Sequence, residues 1–169
     1  MSEIINRVQN SGIISFNIEE RFPQLSWKEI DIKDQLFHGI ALKEKDFRLW
    51  ISENDWTQYK ECGVAFYCSE NVIIPIWAYM LIASELEGIA TYFGEGLLSD
   101  VKERYLLNEI ANMDLVEFQD TRVVIKGCSD AEIPTFVYSE LVRTLKPSVK
   151  SLMFGEPCST VPVYKRKRV

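Results

Sequence analysis

Apolar and polar positions follow two periods along this chain. Residues 13–19 alternate in part, through Ile14, Phe16 and Ile18, and predict a strand. Arg21-Phe22-Pro23-Gln24 then predicts a turn, and residues 27–32, with Ile30 and Ile32, a returning strand, so that the two form an N-terminal hairpin. A short helix over residues 2–9 precedes them. Residues 42–50 carry Phe47, Trp50 and Ile51 at helical spacing, until Asn54-Asp55 breaks the pattern. Residues 63–67 predict a strand rich in Val, Phe and Tyr. The run Val72 to Ala83 then predicts a buried helix over 75–87, closed at Gly88. Strands at 90–93, 122–126 and 149–154 alternate with helices at 99–113 and 134–145, the last stopped by Lys146-Pro147.

Strands that alternate with helices imply βαβ units and parallel pairing. The expected fold is therefore α/β: a mostly parallel central sheet built from two βαβ half-units, plus the N-terminal β-hairpin. One domain of 169 residues is expected, organised as hairpin and helix (1–60), first unit (61–97), connecting helix (98–120), second unit (121–158) and basic tail (159–169).

Composition narrows the function classes. With 47% hydrophobic and 26% charged residues the chain is a folded globular protein, not a disordered one. The apolar run at 72–83 is too short for a membrane span, which needs about 20 residues. The opening Met-Ser-Glu-Ile-Ile-Asn-Arg carries no signal-peptide pattern, which points to a cytoplasmic protein. A net charge of −6 argues against a nucleic-acid surface. The basic run Lys165 to Arg168 reads as a solvated terminus. No P-loop, no Gly-x-Gly-x-x-Gly and no Ser-His-Asp arrangement is present, and His38 is the sole histidine.

Two segments resemble each other. One runs Cys68-Ser-Glu-Asn-Val-Ile-Ile-Pro75-Ile-Trp77-Ala-Tyr79 and later reaches Phe93-Gly94-Glu95. The other runs Cys128-Ser-Asp-Ala-Glu-Ile-Pro134-Thr-Phe136-Val-Tyr138 and reaches Phe154-Gly155-Glu156, followed by Pro157-Cys158-Ser159. If the copies are halves of one parallel sheet, Cys68, Cys128 and Cys158 gather at its carboxyl edge, where open α/β proteins place ligands. Cys62, at the opposite end of its strand, is excluded.

Three thiolates with one open position suit zinc or an iron–sulfur cluster, with Glu95 or Glu156 as a fourth ligand or a support behind the ligands. A helix N-terminus after Cys68 and Cys128 would favour the thiolate form. Two alternatives stay open: a metal-free thiol-dependent enzyme, and an interaction module whose cysteines are merely packed.

The stretches Ile-Pro-Ile-Trp-Ala-Tyr-Met, Arg-Val-Val-Ile-Lys-Gly-Cys-Ser-Asp, Gly-Glu-Pro-Cys-Ser-Thr-Val-Pro-Val-Tyr-Lys and Leu-Lys-Glu-Lys-Asp-Phe resemble an uncharacterised bacterial family, domain of unknown function 2480. That resemblance implies no activity and transfers no site residue. It implies iron–sulfur assembly proteins as partners, through the genomic company of the family, and so tilts the metal reading toward iron–sulfur handling.

Overall fold

The computed structural model describes residues 12–126, 133–156 and 159–167. The chain divides into two compact units, residues 25–105 and residues 1–24 with 106–169, so the first is inserted in the sequence of the second. Each has its own sheet and its own apolar core.

In the 25–105 unit, β2 (Ser26–Asp31), β5 (Cys62–Tyr67) and β6 (Tyr92–Glu95) form a wholly parallel sheet in the order β2-β5-β6. Cys62 to Phe66 are all buried, as a central parallel strand covered on both faces must be. On one face Val64 and Phe66 pack with α2 (Glu44–Glu53), through Phe47 and Ile51, and with α3 (Ile76–Leu86). On the other, the Trp27 ring lies so close over Gly63 that an added Cβ would stand 2.6 Å from it. Tyr105 packs beside that ring, and Tyr92 against Tyr105. Tyr105 lies on α4 (Leu98–Ala111), whose residues 98–105 belong to this unit and whose remainder belongs to the other.

In the second unit, β1 (Ile13–Phe16), β7 (Arg122–Ile125) and β8 (Ser151–Glu156) are parallel, and β9 (Ser159–Lys165) returns antiparallel to β8, in the order β1-β7-β8-β9. Its core joins Phe16, Phe22, Ile110, Phe118, Val123, Ile125 and Leu152 to α5 (Thr135–Leu145). β9 is an edge strand. Val163 is skipped where the register shifts, and Pro162 brings no N–H, so bulge and proline blunt the edge against further pairing.

The two units repeat one plan in detail. Both α3 and α5 are preceded by a proline in extended conformation, Pro75 and Pro134, whose carbonyl accepts from the third residue on, at 3.0 and 3.1 Å. The ring holds φ near the value that starts a helix. Both helices bury every fourth residue: Ala78, Ile82 and Leu86 in α3, Val137, Leu141 and Leu145 in α5. Before each central strand stands a non-glycine residue of positive φ, Glu61 or Asp120, whose N–H donates to Ile89 or Ser148. All these pairs are 59 positions apart, as are the core-facing Val64 and Val123, Phe66 and Ile125.

The α/β class, the mainly parallel pairing and the two βαβ half-units thus agree with the sequence reading, but the halves do not share a sheet. Each recruits its own first strand, β1 beside β7 and β2 beside β5. The strands expected at 13–19 and 27–32 therefore do not pair with one another. The hairpin of this part of the chain is instead β3 (Leu36–Phe37) with β4 (Ala41–Leu42). The tail expected at 159–169 contains β9. The helix expected at 2–9 lies outside the described residues.

Candidate functional site

The carboxyl ends of β2, β5 and β6 bring Asp31, Tyr67 and Glu95 to one edge, with Asp31 opposite Tyr67 and Glu95 opposite Phe66. Asp31 organises this edge. Its Oδ1 accepts from the Lys33 N–H at 3.0 Å, turning the chain into a short 3-10 helix, and from the Ser69 N–H at 3.0 Å, which ties down the loop after β5. Burial pushes the Asp31 carboxyl up. Hydrogen bonds from Ser69 and Lys33 outweigh it and hold the group below the usual value. Bonding to the charged form is what lowers a carboxyl pKa.

Cys68 follows β5, is half-buried and packs against the core of this unit. Tyr79, one turn into α3, stacks on Phe66 with ring centroids 6.2 Å apart. Burial raises its phenol above the usual value, and the nearby Glu95 and Cys68 add to the shift. Burial likewise raises Tyr67, helped by Glu29 and Asp31. Both phenols are protonated at neutral pH, as an ordinary tyrosine is, and can donate hydrogen bonds.

The segments that leave this edge carry most of the exposed large apolar side chains of the unit, Leu49 on α2 being another. Phe37 and Ile40 lie in and beside the β3–β4 hairpin after β2, Ile73 and Ile76 between β5 and the body of α3, and Leu97 just after β6. Ile73 is 94% exposed, Ile76 77% and Ile40 71%. Met80, one turn beyond Ile76, is exposed as well. The run at 72–83 is thus not a fully buried helix. Ala78 and Ile82 face the core while Ile76 and Met80 face outward. A helix apolar on all sides over a sheet is the signal that could have identified this face from the sequence.

The expected three-thiolate centre is overturned. Among the described residues no group of three or more His, Cys, Asp or Glu is placed to hold a metal ion. The premise of one shared edge also fails, because Cys68 and Glu95 follow or end strands of one sheet, whereas β7 and β8, which lead toward Cys128 and Cys158, belong to the other, with Glu156. Cys128 and Cys158 themselves lie outside the described residues. The apparent match of Cys68 with Cys128 is also out of step. The structural repeat is 59 residues, which sets Cys68 against Gly127, while the cysteine match needs 60 and the Phe-Gly-Glu match 61. Cys62, buried at the start of β5, stands at the opposite end of the strand from Cys68.

The fold and edge define an α/β protein built of two similar units, of which the 25–105 unit carries exposed apolar side chains on the segments after its three strands. The family model for a protein of unknown function, DUF2480, matches residues 2–166, and the chain belongs to that family. No curated protein and no solved structure matches it. Among the described residues no helix is long and apolar enough to cross a membrane.

Proposed function

We propose that the protein is an interaction module that binds a partner protein through the carboxyl edge of the 25–105 unit. The observation that carries this reading is that the segments following all three strands of the sheet present large apolar side chains to solvent. Scattered exposed apolar residues need no explanation, but a set gathered around one edge marks a contact surface. Open α/β sheets bind at this edge because the loops there are free to vary while the strands beneath hold them. Asp31 and the two protonated phenols supply polar contacts that would orient a partner inside the apolar rim. The unit carries eight Lys and Arg against fourteen Asp and Glu, so a protein rather than a nucleic acid fits it. A cytoplasmic setting belongs to this reading, supported by the unpaired thiols of Cys62 and Cys68.

The test is photo-crosslinking in cells. A photoreactive amino acid is placed in turn at Ile40, Ile73 and Leu97, and as controls at the exposed Glu53 and Glu87 near the opposite ends of α2 and α3. The same adduct is expected from the three edge positions, absent from the controls and lost when Ile76→Asp is added. Equal labelling at edge and control positions, or none at the edge, overturns the reading.

A further inference from the structure

The second unit has a different pole. Its sequence carries as many acidic as basic residues, eleven of each, but they are segregated. From Arg143 to Lys167 the only acidic residue is Glu156, at the carboxyl end of β8. The basic residues meet at the other end. Lys165 pairs with Ser151 at the start of β8, and the Arg166 N–H donates to the Lys150 carbonyl at 2.9 Å. Here α5 ends, and the Lys146 ammonium lies 5.3 Å from the centre of the Tyr164 ring.

Between α5 and β9 at this end opens a cleft of about 500 Å³, lined by Ser139, Val142, Arg143, Lys146, Pro147 and Tyr164. Val142, Pro147 and Tyr164 give it apolar surface, and Arg143 and Lys146 give it basic groups. Arg143 is paired with Glu140, and Arg166 with Asp120 and the carbonyls of Pro147 and Ser148. Lys146, Lys150, Lys165 and Lys167 are exposed. The two arginines thus brace the scaffold, while Lys146 lines the hollow and Lys150, Lys165 and Lys167 add positive charge to the same end of the unit, Lys165 from the face of β9 opposite Tyr164.

We propose that this cleft is a second interaction surface, whose occupant is a short acidic segment of another protein that seats one apolar or aromatic side chain against Val142, Pro147 and Tyr164 with a carboxylate on Lys146, in the positive field of the lysines at this end of the unit. Charge complementarity selects the acidic segment. A longer polyanion such as RNA would extend beyond the basic pole onto a molecule of net charge −6.

The experiment uses the full chain and a fluorescein-labelled hexapeptide of five glutamates around one tryptophan, followed by fluorescence anisotropy at low and at high salt. Saturable binding is expected, weakened by salt. Lys146→Gln should weaken it about two- to fivefold, the size of an exposed ion pair, and Lys165→Gln, on the face of β9 opposite Tyr164, should weaken it less, through the field alone. Both positions are exposed, so folding is not at stake, and unchanged thermal melting checks that. Tyr164→Ser should weaken it further, and Ile76→Asp should leave it unchanged. Equal binding of the glutamine analogue of the peptide, or equal or tighter binding of a single-stranded RNA hexamer, overturns the proposal. So does peptide binding that the two lysine substitutions leave intact, or low-salt self-association of the chain that excludes the peptide.

Discussion

The 25–105 unit and the unit around it are built to one plan and differ in what covers the plan. The matched pairs run through turn, strand and helix: Glu61 with Asp120, Val64 with Val123, Pro75 with Pro134, Ile82 with Leu141. The first strands match too, at a spacing of 14, where Phe16-Asn17-Ile18 stands for Ile30-Asp31-Ile32. In each triplet the outer residues are buried and the middle side chain caps the turn that follows. The differences lie at the surfaces. One unit carries the whole net negative charge and exposed apolar side chains after all three of its strands; the other is neutral overall, adds β9 and places Lys146, Lys150, Lys165 and Arg166 near the amino end of β8. The two units share the packing that folds them and differ at the exposed positions.

The comparison predicts matched costs at matched core positions. Ile82 and Leu141 are both fully buried on the inner face of their helices. Ile82→Ala and Leu141→Ala should each destabilise by about 2–5 kcal/mol, the transfer and cavity terms of a large-to-small change. Chemical denaturation reads the cost, and hydrogen exchange reads where it falls. Ile82→Ala should lower protection in β2, β5 and β6, and Leu141→Ala in β1, β7 and β8. Uniform loss over both sets would mean that the units unfold as one body.

Much of the fold is legible in the sequence because its strongest signals are local. Pro75 and Pro134, with apolar residues every fourth position after them, announce two equivalent helices, and the strands before and after follow from composition. Partner choice between strands is not local. Residues 13–16 and 26–31 are close in sequence and both strand-like, so a hairpin is the natural expectation. Yet β1 pairs with a strand beginning at Arg122, beyond the whole inserted unit. The site misleads for a related reason. Cysteine matches attract attention, whereas register is set by what faces the core, and a one-residue slip moves a side chain to the other face of a sheet. Val64 and Phe66 against Val123 and Ile125 give the true step. The exposed apolar rim was visible only as the excess of apolar residues on α3.

A second test sharpens the difference in cover. Trp27 beside Gly63 occupies the place that Ile13 beside Arg122 occupies in the other unit. Glycine is needed at 63 because the tryptophan ring fills the space of a side chain, whereas Arg122 is exposed. Gly63→Ala should therefore overpack this face and cost about 1–3 kcal/mol. Arg122→Ala should stay within about 0.5 kcal/mol of the parent, as surface changes do. Melting curves of the two variants, run together, check the contrast. Equal costs would mean that the two faces are covered alike.

The smallest effect separates the caps. Asn17 Oδ1 accepts from the Glu19 N–H at 3.2 Å, and Asp31 Oδ1 from the Lys33 N–H at 3.0 Å, so each closes the turn after its first strand. Removing either cap should cost about 0.5–2 kcal/mol. Asp31→Ala should lie nearer the top of that range, because Asp31 also holds the Ser69 N–H. The two should part as a function of pH. Asp31 has a depressed pKa in the folded protein, so its contribution is complete above the ordinary carboxyl range and is lost as pH falls through the folded value. The stability difference between the parent and Asp31→Ala should accordingly shrink on acidification. Asn17 does not titrate, and the difference between the parent and Asn17→Ala should stay level over the same range. Denaturation of the three proteins from neutral pH down to about pH 3, across the carboxyl range, measures both differences. Parallel curves would mean that Asp31 acts as a neutral cap and that its charge does not hold the carboxyl edge.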